Sequence, residues 1–316
     1  MLVNSTPLLV APVAPDLTNR KTQCTEIYSV SMDISEEHEK FDSWVRDYIF
    51  EYYAVLKQKE ERRPIIRCRS SQLNIRGGLV DFIKAVSDEL HFTHITRHRA
   101  VYMIDQFMDA GNFIRKPYLR LVAVVCLILA AKYEESEMSI PKLSTLQKYI
   151  DVEFTRKDFI TLEKTLFSHF KWQLSIPTGV DFAEHQCLFA ISLHESQTLG
   201  YSLKNLRAIV RGLTYDYLDV TLSEIGFLQY SPSKVGAICL RAARVTLKLL
   251  PSWPDLLRIS TGYCEEELFV GYRLLMKSIP LPDRKRKSDF GSPESGYGSG
   301  GDGDNDMVTS PNKRFR

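Results

Sequence analysis

Three histidines give the one metal-like spacing in the chain: His91, His94 and His98. No cysteine or carboxylate stands near them at an interval zinc would use. They read as two loop histidines before a helix and a third on its first turn, so no metal and no cofactor is expected. The phosphate loop G-x-x-x-x-G-K-[ST] is missing, no G-x-G-x-x-G follows a strand, and neither H-E-x-x-H nor G-x-S-x-G occurs. A helical enzyme therefore has no supporting site. The informative stretch is Leu121 to Glu135, LVAVVCLILAAKYEE. A wholly apolar segment ends in Lys132, Tyr133, Glu134 and Glu135. A lysine in a last turn complements the helix dipole, but two glutamates there oppose it. A charge arrangement that is locally unfavourable points to a role beyond the fold.

The elements that must carry this stretch are legible around it. The chain has 316 residues, which suggests two domains, and 44% of them are hydrophobic, enough for one or two proper cores. A net charge of +2 excludes a polybasic nucleic-acid binder, so no direct nucleic-acid partner is expected. The longest apolar run, Leu121 to Ala131, is 11 residues. A bilayer needs about 20, so no membrane association is expected. Met1-Leu2-Val3-Asn4-Ser5-Thr6-Pro7 has no basic flank, which argues against a secretory signal. The six cysteines are scattered without a C-x-x-C pair and read mostly as buried thiols.

Residues 1–32 read as a flexible leader. From 33 to 62, Phe41, Trp44, Val45, Tyr48, Ile49, Tyr52 and Leu56 recur at helical spacing, and Pro64 stops the helix. Ser70 or Ser71 is the expected cap of a helix to about Leu90, and Thr96 opens another that closes near Gly111. A helix from Pro117 to about Tyr133 is apolar on all sides and must lie at a centre. A short helix follows between Ser139 and Ile150. Thr155 with Asp158, and Thr178 with Asp181, have the spacing of capping boxes. Further helices are expected near 179–193, 202–219, 232–250, 254–260 and 264–278. The fold class is all-α, with no strands needed: a leading helix, then two sets of about five helices, 63–177 and 178–280. From 281 to 316 large apolar residues nearly vanish, and this tail is expected to be disordered.

Several segments, in order, resemble the cyclin family. Ile75-Arg76-Gly77-Gly78-Leu79-Val80-Asp81-Phe82 resembles that family's M-R-A-I-L-V-D-W, and Ala100-Val101-Tyr102-Met103-Ile104-Asp105-Gln106-Phe107 resembles A-V-x-x-I-D-R-F. Leu129-Ala130-Ala131-Lys132-Tyr133-Glu134-Glu135 resembles L-A-S-K-F-E-E. Phe170-Lys171-Trp172-Gln173-Leu174 with Pro177-Thr178 resembles the end of its first helical box, and Trp253-Pro254 with Thr261-Gly262-Tyr263 resembles W-P…T-G-Y in its second. The run from Lys132 to Glu137 leading into Ile140-Pro141-Lys142-Leu143 is similar to J-type cyclins.

The resemblance implies two cyclin boxes and a regulatory, non-enzymatic role: binding a cyclin-dependent serine/threonine kinase as a heterodimer and moving its C-helix into place. It implies that Lys132 and Glu163 grip the kinase, with Glu135 beside them. Leu129, Tyr133, Phe167, Trp172 and Leu174 would line the groove for the C-helix, with Ile49 and Tyr52 as a side wall. Arg76 and Asp105 would form a buried structural pair. Kinase substrates are a further class of partner, through a docking patch that reads here as Ile75, Leu79, Phe82, Leu119 and Arg120. Gly77-Gly78 and Arg120 depart from the family pattern, so docking of basic-hydrophobic peptides is expected to be weakened. In the tail, Arg284–Lys287 and Lys313–Arg316 are basic clusters suited to nuclear import, with shuttling to the cytoplasm. Ser310-Pro311-Asn312-Lys313 and Ser292-Pro293 fit proline-directed phosphorylation sites. The alternative is a cyclin-fold transcription factor or scaffold that activates no kinase. With 34 basic against 33 acidic residues up to position 280, the body lacks the charge excess a DNA-binding version would carry.

Overall fold

In this computed structural model residues 43–279 are described, and among them the backbone forms twelve α-helices and no strand. The expectations for 1–42, for the tail with its basic clusters, and for Ser292 and Ser310 lie outside the described residues. A leading helix, α1 (Ser43–Glu61), is followed by α2 (Arg76–Glu89), α3 (His94–Asp109), α4 (Leu119–Glu134), the single turn α5 (Leu143–Leu146) and α6 (Arg156–His169). A second set comprises α7 (Gly179–Cys187), α8 (Leu193–Leu199), α9 (Leu203–Ser223), α10 (Pro232–Thr246), α11 (Asp255–Thr261) and α12 (Glu265–Ser278).

The apolar run chooses its own place. A helix with no polar face can only be surrounded, and every residue from Leu121 to Ala131 is buried, with α2, α3 and α6 packed round α4. In the second set α10 takes the same position, against α7, α9 and α12. Gly236 permits the α7–α10 approach: a Cβ there would stand 3.0 Å from the Gly179 carbonyl oxygen and 3.2 Å from the Ala183 nitrogen. Local chemistry starts the helices. Thr155 and Asp158 form the expected capping box of α6, and the Thr178 N–H and O–H both donate to Asp181 Oδ2 at the start of α7.

Several boundaries differ from the sequence reading: the helix expected over 202–219 runs on to Ser223, and the one expected over 232–250 stops at Thr246. The helix expected over 179–193 ends at Cys187, because Ser192 and Glu195 form a third capping box that starts α8. α2 begins at Arg76, five residues after Ser71, with a 3₁₀ turn over Leu73–Ile75 in between. α3 begins two residues before Thr96, since Thr93 is the cap and its Oγ1 accepts from the Thr96 N–H. His94 is thus helical, and His91 alone precedes the helix.

Polar groups buried between the two bundles join them. Arg76 and Asp105 pair twice, Nε to Oδ1 at 2.7 Å and Nη2 to Oδ2 at 2.8 Å, and Arg76 Nη1 donates to the Leu222 carbonyl of α9 at 2.8 Å. Asp219, also on α9, receives Arg97 Nη1 at 2.6 Å and lies 3.1 Å from both His94 Nδ1 and His98 Nε2. These histidines are inter-bundle ties. Among the described residues no group of three or more His, Cys, Asp or Glu is arranged to hold a metal ion.

α1 rests on the second bundle, and His185 is where it is pinned. His185 Nε2 donates to the Ile49 carbonyl at 3.1 Å, and its ring stacks on Tyr53 with centroids 4.5 Å apart. Burial holds its pKa down to about 4. The native imidazole is therefore neutral, whereas the unfolded chain protonates it near pH 6.5. This contribution to stability is whole above about pH 6.5 and is lost as pH falls toward 4, at up to about 1.4 kcal/mol per pH unit. Thermal midpoints across that window should fall less steeply for His185→Gln than for the parent protein; equal slopes would remove His185 as the source.

Candidate partner-binding groove

A groove of about 870 Å³ opens where the C-terminal ends of α1, α4 and α6 converge. Six of the residues that the sequence assigns to a partner groove meet there: Leu129, Lys132, Tyr133, Phe167, Trp172 and Leu174. Leu129 and Leu174 are buried and make its floor, Phe167 is half-buried, and Tyr133 and Trp172 are exposed. Lys132 Nζ lies 2.5 Å from Glu163 Oε1, a contact between the last turn of α4 and the middle of α6. The Lys132 side chain is 46% exposed and that of Glu163 13%, so the cation stands at the surface while its partner is largely covered.

The turn after α6 is built to present Trp172. Lys171 and Trp172 are both left-handed, at φ 50° and 62°, a conformation that costs non-glycine residues about 1–3 kcal/mol each. Two backbone bonds hold it: Lys171 N–H donates to the Ser168 carbonyl at 3.1 Å and Trp172 N–H to the Phe167 carbonyl at 2.9 Å. The indole stacks on Phe167, centroids 4.9 Å apart and planes 18° from parallel, and stays 70% exposed. A large ring held in strained backbone and left in water is poor for folding alone and well suited to a binding surface.

Beneath the groove lies Arg99, which is buried. Nη1 donates to the Leu174 carbonyl at 2.7 Å, Nη2 is 2.6 Å from Glu134 Oε1 and 3.5 Å from Asp181 Oδ1, and the guanidinium stands 4.8 Å from the Tyr133 ring centroid. Glu134 thus answers a buried cation, which accounts for one of the two glutamates opposed by the helix dipole.

Several assignments are corrected. Glu135 Oε1 accepts from the Thr93 N–H at 2.7 Å, the Thr93 hydroxyl at 2.8 Å and the Thr96 hydroxyl at 2.5 Å. That oxygen caps α3. Ile49 packs into the second bundle's core, and neither it nor Tyr52 lines the groove. The α1 wall comes from Lys59 and Arg62 instead. Sequence reasoning missed these two, although the charged run Lys57–Arg63 just before Pro64 was the available signal. In the substrate-docking patch, Leu79 and Leu119 are buried in the first core, Ile75 and Phe82 are half-buried, and Arg120 is exposed. Arg120 pairs with Asp151 at 2.6 Å and lies 5.3 Å over the Phe82 ring. Two of the five residues therefore face inward, and a cation covers a third.

Two bundles that repeat one arrangement, with a Lys–Glu pair at the rim of an apolar groove in the first, define a two-box cyclin fold. The cyclin N-terminal domain family model matches residues 48–175 and the cyclin C-terminal domain model residues 201–295. The chain belongs to the cyclin family. It is similar to a cyclin-J-like protein of Mus musculus, 31% identical over 249 residues, covering 74% of this chain and 64% of that protein. It is also similar to cyclin-J of Xenopus laevis, 32% identical over 244 residues, covering 72% and 63% respectively. Cyclin-B1-3 of Oryza sativa subsp. japonica is 29% identical over 279 residues, covering 85% of this chain and 55% of that protein. The chain thus spans somewhat less than two thirds of the length of these relatives. A viral cyclin from herpesvirus saimiri, solved by X-ray crystallography, shares the fold at a TM-score of 0.59 and 15% identity, covering 71% of this chain and 95% of that one.

Proposed function

We propose that this protein is the regulatory subunit of a cyclin-dependent serine/threonine kinase, that it grips the kinase through the groove at Lys132 and Glu163, and that it holds the kinase C-helix in its catalytic position. The observation that carries the reading is the Lys132–Glu163 pair set beside an exposed Trp172 in strained backbone. The groove has the form a partner helix requires: an apolar floor, an aromatic edge and a polar clamp at one end. In this role the chain supplies no reacting group. It acts by shifting the kinase toward its active arrangement, which demands different affinities for the two kinase states. Nuclear import through the basic clusters of the tail, and modification of Ser310 by the bound kinase, belong to the same reading.

The test is reconstitution. Purified protein is mixed with a recombinant monomeric cyclin-dependent kinase, and phosphate transfer to a Ser-Pro-x-Lys peptide is followed. Co-elution of the two chains with transfer that depends on the added protein is the expected result. Co-elution without transfer would favour a scaffold, and no co-elution across a panel of such kinases would retire the reading.

A further inference from the structure

The groove is markedly one-signed. Lys59, Arg62, Lys132 and Lys171 stand around it, and no Asp or Glu lines it. Lys132 is answered by Glu163, but Lys59, Arg62 and Lys171 stand in no ion pair among the described residues; the bond of Lys59 is to the Ser175 hydroxyl at 2.5 Å. The acidic residues of α1 nearest to them are turned elsewhere. Glu60 is bonded to Lys57 and to Ser233 of the second bundle, and both Glu60 and Glu61 line the separate crevice between the bundles. His169 adds no further positive charge, since burial lowers its pKa. A chain with a net charge of only +2 has thus gathered uncompensated cations at one apolar groove.

Resting on the kinase-binding reading above, we infer that the groove selects a kinase helix whose apolar ridge is flanked by Asp and Glu side chains, and that Lys59, Arg62 and Lys171 steer its arrival. Exposed charges at the rim of an interface act mainly on the rate of encounter, while buried contacts set the lifetime. Steering of this kind raises association rates by about 10–10³-fold and fades as salt screens it. The apolar floor and the Lys132–Glu163 clamp then hold what the rim has gathered. A single-stranded nucleic acid is the other occupant that cations beside an exposed tryptophan could attract.

Stopped-flow mixing of the full chain with a monomeric cyclin-dependent kinase at 50, 150 and 300 mM NaCl tests this. The parent association rate should fall about tenfold across that range. The triple variant Lys59→Glu, Arg62→Glu, Lys171→Glu should begin about tenfold slower at 50 mM and be flat or rising with salt, with dissociation changed less than about threefold. Should the triple variant fold poorly, Arg62→Gln and the salt dependence of the parent decide the matter. A salt-independent parent rate, or a triple variant that associates as fast as the parent, would overturn the inference while kinase binding itself stands. Displacement of the kinase by a fluorescent oligothymidine 20-mer, lost in the triple variant, would reassign the cations to nucleic acid. Failure of the parent to bind any kinase at any salt removes the functional reading, and this inference with it.

Discussion

Lys132→Glu lowers affinity for the proposed kinase partner by about thirtyfold or more and leaves the thermal midpoint of the free protein nearly unchanged. The two halves of this expectation come from one geometry. In the free protein the Lys132 side chain is 46% exposed and that of Glu163 13%, so the 2.5 Å contact is solvated on the lysine side, and a pair open to water in this way contributes about 0–1 kcal/mol to stability. Once a helix covers the groove, the same pair is removed from water. Truncating or reversing one member then strands the other, at a cost of about 2–5 kcal/mol. Each 1.4 kcal/mol is a factor of ten in affinity, which sets the scale of the loss. Glu163→Lys should behave alike. Titration calorimetry against the kinase, with a thermal melt of each variant alone, checks both halves. Unchanged affinity would take this pair off the partner-facing surface; a large fall in the midpoint would make it a structural bridge instead.

Arg76→Ala shows the opposite signature, a loss of about 3–5 kcal/mol in folding stability with no direct effect on the groove. Arg76 is 2% exposed and Asp105 5%, and the guanidinium makes two bonds to that carboxylate and one to the Leu222 carbonyl. Removing it leaves a buried carboxylate without its cation and a buried carbonyl without its donor. Arg76→Lys rescues little, because a lysine ammonium lacks the planar fork that reaches three oxygens. Removing both partners in Arg76→Ala, Asp105→Ala should cost less than the sum of the single changes, since no lone charge remains. Urea unfolding of the parent, Arg76→Ala, Arg76→Lys, Asp105→Ala and the double variant measures this. A loss below about 1 kcal/mol for Arg76→Ala would contradict the buried pair.

Much of this was legible in the sequence because it was written locally. A run of eleven apolar residues has no choice but a central position, and Thr-x-x-Asp announces a helix start from four positions alone. The groove residues on α4, on α6 and in the turn after it were found by motif, and the structure brings six of them together. What the sequence reading missed depends on partners far along the chain. His94 read as a loop histidine beside His91 and His98 as one on a first helical turn, but both meet Asp219 more than a hundred positions away. Glu135 looked like part of an exposed acidic pair, but its partner is the cap of α3. The family resemblance put Ile49 and Tyr52 on the groove wall. α1, however, lies against the second bundle, so the groove wall comes from Lys59 in its last turn and Arg62 just after it.

Arg99 gives the groove a long mutational footprint. Its side chain touches a backbone carbonyl of the floor, an aromatic ring at the rim, and a carboxylate of the second bundle that also starts α7. A random-mutagenesis screen for chains that no longer pair with their kinase should return Glu134 and Asp181 as well as Lys132 and Trp172. Suppressors of such lesions are to be sought in the second box, where sequence drift would otherwise pass as neutral.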